Sequence, residues 1–448
     1  MRLGLAAICA ALMLMVCQAA SADDGLKSAP ITPVAEQSLA PLASPQAGFD
    51  AEKATNAYLA QVSGKARAQS DSYFEGGYVL ILVDAIYAVI VSAIILWLGL
   101  SARIRDFAQR TTKSRFWQVP IYAIAYVILS SAMSFPLTVY EGFVREHAYG
   151  LSNQNFMQWF GDFGTGFAIS LVTLTILATI IYSVIRGAPR TWWVWGALVV
   201  VGFMIIGATI APVFISPLFN HYQPLPESAL KSRILSIARS EGIPATNVYE
   251  FDASKQSKRV SANVSGMFGT TRISMNDNLL KRTTPDEIVA VLGHEMGHYV
   301  LGHSWFLLSW VGLVIFVGFA FVNWGSVVLI RTFGKTWSVS GIDDPAGLPV
   351  LMAVLSVYFL LATPVQNTIT RTAEQQADIF GVNAVRQPDA FAKVALMLSE
   401  YRKLDPSPLE EFVFFDHPSG RTRITTVMRW KAEHLNDWDI KNGPVSPH

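Results

Sequence analysis

Residues 284–330 read TPDEIVAVLGHEMGHYVLGHSWFLLSWVGLVIFVGFAFVNWGSVVLI. The closing run, Ser304–Ile330, carries no charged residue. A bilayer span needs ~20 predominantly apolar residues, so this run is long enough to cross. The stretch before it is of another kind. Thr284 is an N-cap, Pro285 takes the first helical position and Glu287 completes a capping box, which predicts a helix over the following residues. On that helix His294 and His298 stand one turn apart on one face, with Glu295 beside them. The chain therefore joins a membrane span to an H-E-x-x-H helix.

The composition agrees with a bilayer setting. Of 448 residues, 52% are hydrophobic and 15% charged, and the mean hydropathy is +0.36. Soluble domains carry roughly 25% charged residues. Six apolar runs are long enough to span: Gly76–Leu100, Val119–Tyr140, Gly166–Ile185, Trp192–Pro212, Ser304–Ile330 and Ala346–Val365. Pro136, Pro212 and Pro364 fall near span ends, where a lost helix bond is tolerated. The fold expected is mainly α, a polytopic membrane protein of six spans with a small α+β domain split between two polar stretches. The net charge of +1 gives no case for nucleic acid as a partner.

The first 22 residues read as a signal peptide. Arg2 is the positive end, Leu3–Val16 the apolar core, and Ala20-Ser21-Ala22 the cleavage site. An uncleaved anchor is the alternative. Both cysteines, Cys9 and Cys17, lie inside it. The mature chain then has no thiol, and a soft-metal site must be built from His and carboxylates. The loop Ser101–Phe116 holds Arg103, Arg105, Arg110, Lys113 and Arg115; later loops on the same side add Arg186, Arg190, Arg331 and Lys335. The alternate loop Glu141–Thr165 has only Arg145. The positive-inside rule puts the Arg-rich set in the cytoplasm. Two spans separate the polar stretches, so both lie on one face, the exported one. The chain is expected in a bacterial inner membrane with its site on the periplasmic side.

The H-E-x-x-H pattern is specific: with 8 His and 15 Glu in 448 residues, chance gives roughly 0.005 occurrences. Both imidazoles can reach one zinc at ~2.0–2.1 Å. Glu295 then stands as general base. A third protein ligand is required, from His303, His417, His434 or a carboxylate. The stretch Asn367–Ala384 reads as a helix with Glu374 and Asp378 at i, i+4. Glu374 completes a His₂Glu set, and Asp378 can hold the far nitrogen of a ligand His. The bland reading of that helix is a solvated face of paired charges. His303 falls one residue beyond the i+4 step from His298, which fits a satisfied helix-end residue better than a ligand.

The chain resembles the membrane-embedded CAAX prenyl protease type I family, the intramembrane gluzincins. The resemblance rests on Leu292–Tyr299 running on to Gly302-His303, on Ala373–Asp378, on Ile210-Ala211-Pro212 with Pro217-Leu218-Phe219, and on Asp416–Arg421. It covers about Tyr73 to Trp430 and implies a zinc endopeptidase with one Zn²⁺ held by His294, His298 and Glu374. It also implies that Asn263 lies near the scissile carbonyl and that His417 stabilises the oxyanion. The expected partners are the lipid bilayer and a peptide or membrane-protein substrate, which the resemblance makes lipidated or CAAX-like. Eukaryotic members have seven spans and a cytosol-facing site; here a signal-like segment stands in place of the first span.

The organisation expected is a signal peptide over 1–22, an exported linker and short helix over 23–75, four spans over 76–219, a first catalytic part over 220–302, two spans over 303–366 and a second catalytic part over 367–448. Asp50 to about Ser70 reads as the short polar helix. The strand-like Thr271–Met275 is a candidate to pair with an extended substrate. Asp84, polar within a span, suits an internal chamber or a paired interior position. Two other classes compete. A metal-binding or chaperone-like membrane protein does not require Glu295, and a transporter would show repeat-like halves and several intramembrane charges.

Overall fold

The computed structural model describes residues 49–265 and 271–442. The signal segment and both cysteines lie outside these. Among the described residues six helices are long and apolar enough to cross a membrane: Gly64–Trp97, Arg115–Ala148, Phe156–Gly187, Trp192–Leu218, His303–Trp337 and Pro345–Val385. Each expected span is present, and each helix is longer than its apolar run. Val79, Leu82, Ile86, Trp195 and Trp324 turn outward on them. So large an apolar surface belongs against lipid. This is an integral membrane protein.

Two expectations about helix ends are corrected. The first span starts at Gly64, absorbing most of the short helix expected over Asp50–Ser70; only Ala51–Leu59 stands alone. The polar start of that span is held by the C-terminal polar stretch, where Ser70 donates to the Arg402 carbonyl and Lys403 pairs with Glu75. Pro364 lies inside a helix, because Leu348–Val385 runs unbroken for 38 residues. At 1.5 Å per residue that helix is about 57 Å long, roughly twice the hydrocarbon thickness of a bilayer. Its second half, with Glu374 and Asp378, projects beyond the membrane.

A four-stranded sheet lies beside the spans, built from β1 (Tyr222–Pro224), β2 (Val248–Phe251), β3 (Ala262–Ser265) and β4 (Arg272–Asn276). The order is β1-β2-β4-β3, with β2 and β4 parallel and the outer pairs antiparallel. Thus β4, which covers the segment expected to receive substrate, is interior: both its edges are taken. The strands with an open edge among the described residues are β1 and β3, and on β3 Asn263 pairs opposite Ser274.

The Pro285–Val300 helix joins the two polar stretches. Its Leu292 and Met296 pack in one core with Ile234, Ile273 and Met275 of the sheet layer. Its Ala290 packs in a second core with Leu59, Val382, Phe391, Ile424 and Val427. Each core draws on segments far apart in sequence. The capping box of Thr284 and Glu287 opens this helix, and Gly302, at φ +65°, turns the chain from its end into the fifth span.

Candidate metal centre

The fifth and sixth spans run antiparallel, so the start of one and the end of the other share a membrane face. That brings the H-E-x-x-H helix against the projecting half of Leu348–Val385. Small residues set how closely they approach. A Cβ on Gly293 would meet Val385 at 2.5 Å, and one on Gly297 would meet the Ala377 backbone at 3.1 Å. From the other helix, a Cβ on Gly381 would meet the His294 backbone N at 2.8 Å. Gly293 and Gly297 on one helix thus interlock with Ala377 and Gly381 on the other, and the backbones nearly touch.

Close approach delivers Glu374 to the two histidines. His294, His298 and Glu374 are buried and offer ligand atoms all within 4.8 Å of one another. His294 Nε2 is 3.2 Å from Glu374 Oε2, and His298 Nε2 is 3.5 Å from Oε1. The two Nε2 atoms are 3.1 Å apart. The far nitrogens are engaged elsewhere, with His294 Nδ1 on Asp378 Oδ1 at 2.7 Å and His298 Nδ1 on His303 Nδ1 at 2.9 Å. His417 Nε2 comes within 3.3 Å of Glu374 Oε2, and its Nδ1 lies 2.9 Å from Asp416. Asn263 sits half-buried on β3, whose Val264 shares the sheet core with Met296.

The donor set fits a divalent cation. Glu374 is only 2% exposed, and its Oε2 has no partner in hydrogen-bond geometry. A buried carboxylate oxygen left so is costly unless a cation meets it. Two imidazole nitrogens and a carboxylate are zinc's usual donors when no thiolate is at hand. The electrostatics agree. Burial lowers the His294 ring pKa, but the Asp378 and Glu374 carboxylates outweigh it and lift it to about 10. A field that holds a proton so firmly also favours a dication there. His298 is driven down to about 3 by burial, so its ring is neutral, as a ligand must be. Burial pushes Glu295 up to about 7, within reach of both protonation states near neutrality.

Two side chains support the ligands from behind, and the first of them, Arg423, was not expected from the sequence. Arg423 is buried and grips Asp378 with two nitrogens, Nε to Oδ2 at 2.9 Å and Nη2 to Oδ1 at 2.5 Å. It fixes the carboxylate that fixes His294. Its one signal was a charge four residues before Val427 on an otherwise apolar helix face. The other is His303, buried beside His298.

A cavity of about 930 Å³ lies among the spans and extends to His417, whose Nε2 is 3.3 Å from Glu374. Tyr126, Phe319, Met352 and Asp84 line it, as do His417 and Asp416.

Residues 224–431 match the profile of peptidase family M48, and residues 55–221 that of the CAAX prenyl protease N-terminal region, described as five membrane helices. A protein of Bacillus subtilis strain 168 described as an uncharacterised metalloprotease, YhfN, is 30% identical over 328 residues, 73% of this chain and 77% of its own. CAAX prenyl protease 1 of Saccharomyces cerevisiae is 28% identical, with 67% of this chain and 69% of the yeast protein covered. The crystal structure of S. mikatae Ste24p shares the fold, with a TM-score of 0.67 over 95% of this chain and 98% of that one, at 21% identity.

Proposed function

This chain belongs to peptidase family M48 and is a membrane metalloendopeptidase, and we propose that it uses one zinc ion to cut peptide bonds in membrane-associated, lipidated or CAAX-like substrates. The observation that carries this reading is the convergence of His294 Nε2, His298 Nε2 and the Glu374 carboxylate, with both far ring nitrogens already engaged. Relatives described as CAAX prenyl protease 1 support the substrate class.

His294, His298 and Glu374 would hold the metal, and Asp378 with Arg423 would hold His294. Bound there, zinc supplies a Lewis acid that polarises the scissile carbonyl and activates water. Glu295 accepts a proton from the attacking water and passes it to the leaving amine. His417 points Nε2 at the centre, where it can donate to the oxyanion. Asn263 acts from β3, and an extended substrate adds to the open edge of that strand rather than to β4.

The His417 role separates a transition-state donor from a fourth ligand. His417→Ala should lower turnover of a CAAX-like peptide by about 100- to 1,000-fold, the usual loss for an oxyanion donor, while bound zinc stays near wild type. Metal analysis of the purified variant checks this; loss of zinc there would make His417 a ligand.

Charge and fold together support a periplasmic site. Arg105 and Arg115 pair with Asp344 and Asp343 at the span ends opposite Glu374. With the Arg-rich loops inside, the site faces the periplasm of a bacterial inner membrane. Alkaline phosphatase fused after His448 should be active. Fluorescence from a cytoplasm-only reporter at the same position would overturn the orientation.

A further inference from the structure

His303 opens the fifth-span helix and is 1% exposed. Its Nδ1 lies 2.9 Å from His298 Nδ1, and its Nε2 lies 3.0 Å from Gln376 Oε1. Gln376 is on the same helix as Glu374, two residues further on. We propose that His303 is a positioning residue for the metal: it holds His298 in the tautomer whose Nε2 is free to bind, and Gln376 sets the direction of the chain. The inference rests on the metal site argued above.

With a neutral His303 facing the Gln376 oxygen, the donors and acceptors fall into one order. Gln376 Oε1 is an acceptor, so His303 Nε2 carries a proton. A neutral His303 then has a bare Nδ1, which accepts. His298 Nδ1 must therefore be the donor, leaving its Nε2 lone pair aimed at His294 and Glu374. The reverse order fails twice. It would put a proton on His298 Nε2, where the metal binds, and set His303 Nε2 against Gln376 Oε1, acceptor to acceptor. His294 is held from behind by a carboxylate, whereas His298 is held by a neutral ring. A carboxylate behind His298 would join Glu374, Asp378 and Glu295 as a fourth around one dication; the imidazole fixes the tautomer without adding charge.

The test is zinc affinity, measured on the full chain in detergent by competition with a chromophoric chelator. His303→Phe keeps a ring of similar size but has no acceptor. His303→Asn restores an acceptor near the Nδ1 position. Removing such an outer partner costs about 10- to 100-fold in metal affinity, and His303→Phe should lose that much while His303→Asn stays within about threefold of wild type. Gln376 is exposed, so Gln376→Leu leaves packing alone. It should weaken zinc by about three- to tenfold through loss of tautomer control. Visible absorbance of the cobalt-loaded proteins should change in the same order. Wild-type affinity in His303→Phe, or equal losses in the Phe and Asn variants, would overturn the proposal. If His303→Phe does not fold, an unchanged affinity in Gln376→Leu overturns it. A wild-type chain that binds no zinc would instead sink the underlying metal site.

Discussion

Glu295→Gln should lower turnover about 100- to 10,000-fold, the range expected for a lost general base, and leave the zinc content near one per chain. The two effects separate because Glu295 shares a helix with the ligands but is not one of the three converging groups. Gln keeps the size of the side chain and removes only its ability to take a proton. The Pro285–Val300 helix should be undisturbed, since its capping box and its Gly293 and Gly297 contacts do not involve residue 295. Peptide cleavage assays alongside metal analysis check the pair. A Glu295→Gln protein that still cleaves at a comparable rate would mean that the proton goes elsewhere. A variant that loses both zinc and turnover would mean that Glu295 helps to bind the metal.

Glu374→Ala should abolish tight zinc binding. The loss should exceed the ~10- to 100-fold that follows removal of an outer-shell partner, because a direct ligand is gone and two histidines remain. The same substitution makes a second, less obvious prediction. Glu374 is almost wholly buried and its Oε2 has no hydrogen-bond partner. Metal-free, that carboxylate still faces the His294 ring at 3.2 Å and helps to hold its proton, so removing it takes one partner from a buried charge. Metal-free Glu374→Ala should therefore melt below the metal-free parent near neutral pH. Thermal denaturation in chelator reads this out. A variant that kept full zinc and activity would place the third ligand elsewhere. One that melted no lower than its parent in chelator would mean that the metal-free carboxylate gains nothing from His294.

What the sequence yielded depended on whether its signal was local. The spans were legible because lipid demands long uncharged runs, and Ser304–Ile330 is one. The H-E-x-x-H helix was legible because its cap and its i, i+4 histidines all fall within fifteen residues. Glu374 and Asp378 could be singled out as an i, i+4 pair, but the resemblance was needed to favour them over a solvated face. The rest was long-range. Nothing near Thr271–Met275 says that β3 and β2 will occupy both its edges, so the free strand was misassigned. Arg423 reaches Asp378 across 45 residues, and only folding brings them together. His303 was read as a satisfied helix-end residue rather than a ligand, but its partner could not be named. Its contact comes from the turn at Gly302, which swings the next helix back over the first. The interlock of Gly293 and Gly297 with Ala377 and Gly381 looked like ordinary small residues until the two helices met.

The central claim is that one metal ion, held by His294, His298 and Glu374, makes this chain a peptidase. Titrating zinc into chelator-stripped protein, with bound metal and cleavage of a CAAX-like peptide followed in the same samples, tests it most directly. Activity should be absent from the stripped protein, rise in proportion to bound zinc and reach its plateau at one ion per chain. Cleavage that persists in stripped protein, or that needs a second bound ion to appear, would contradict the account.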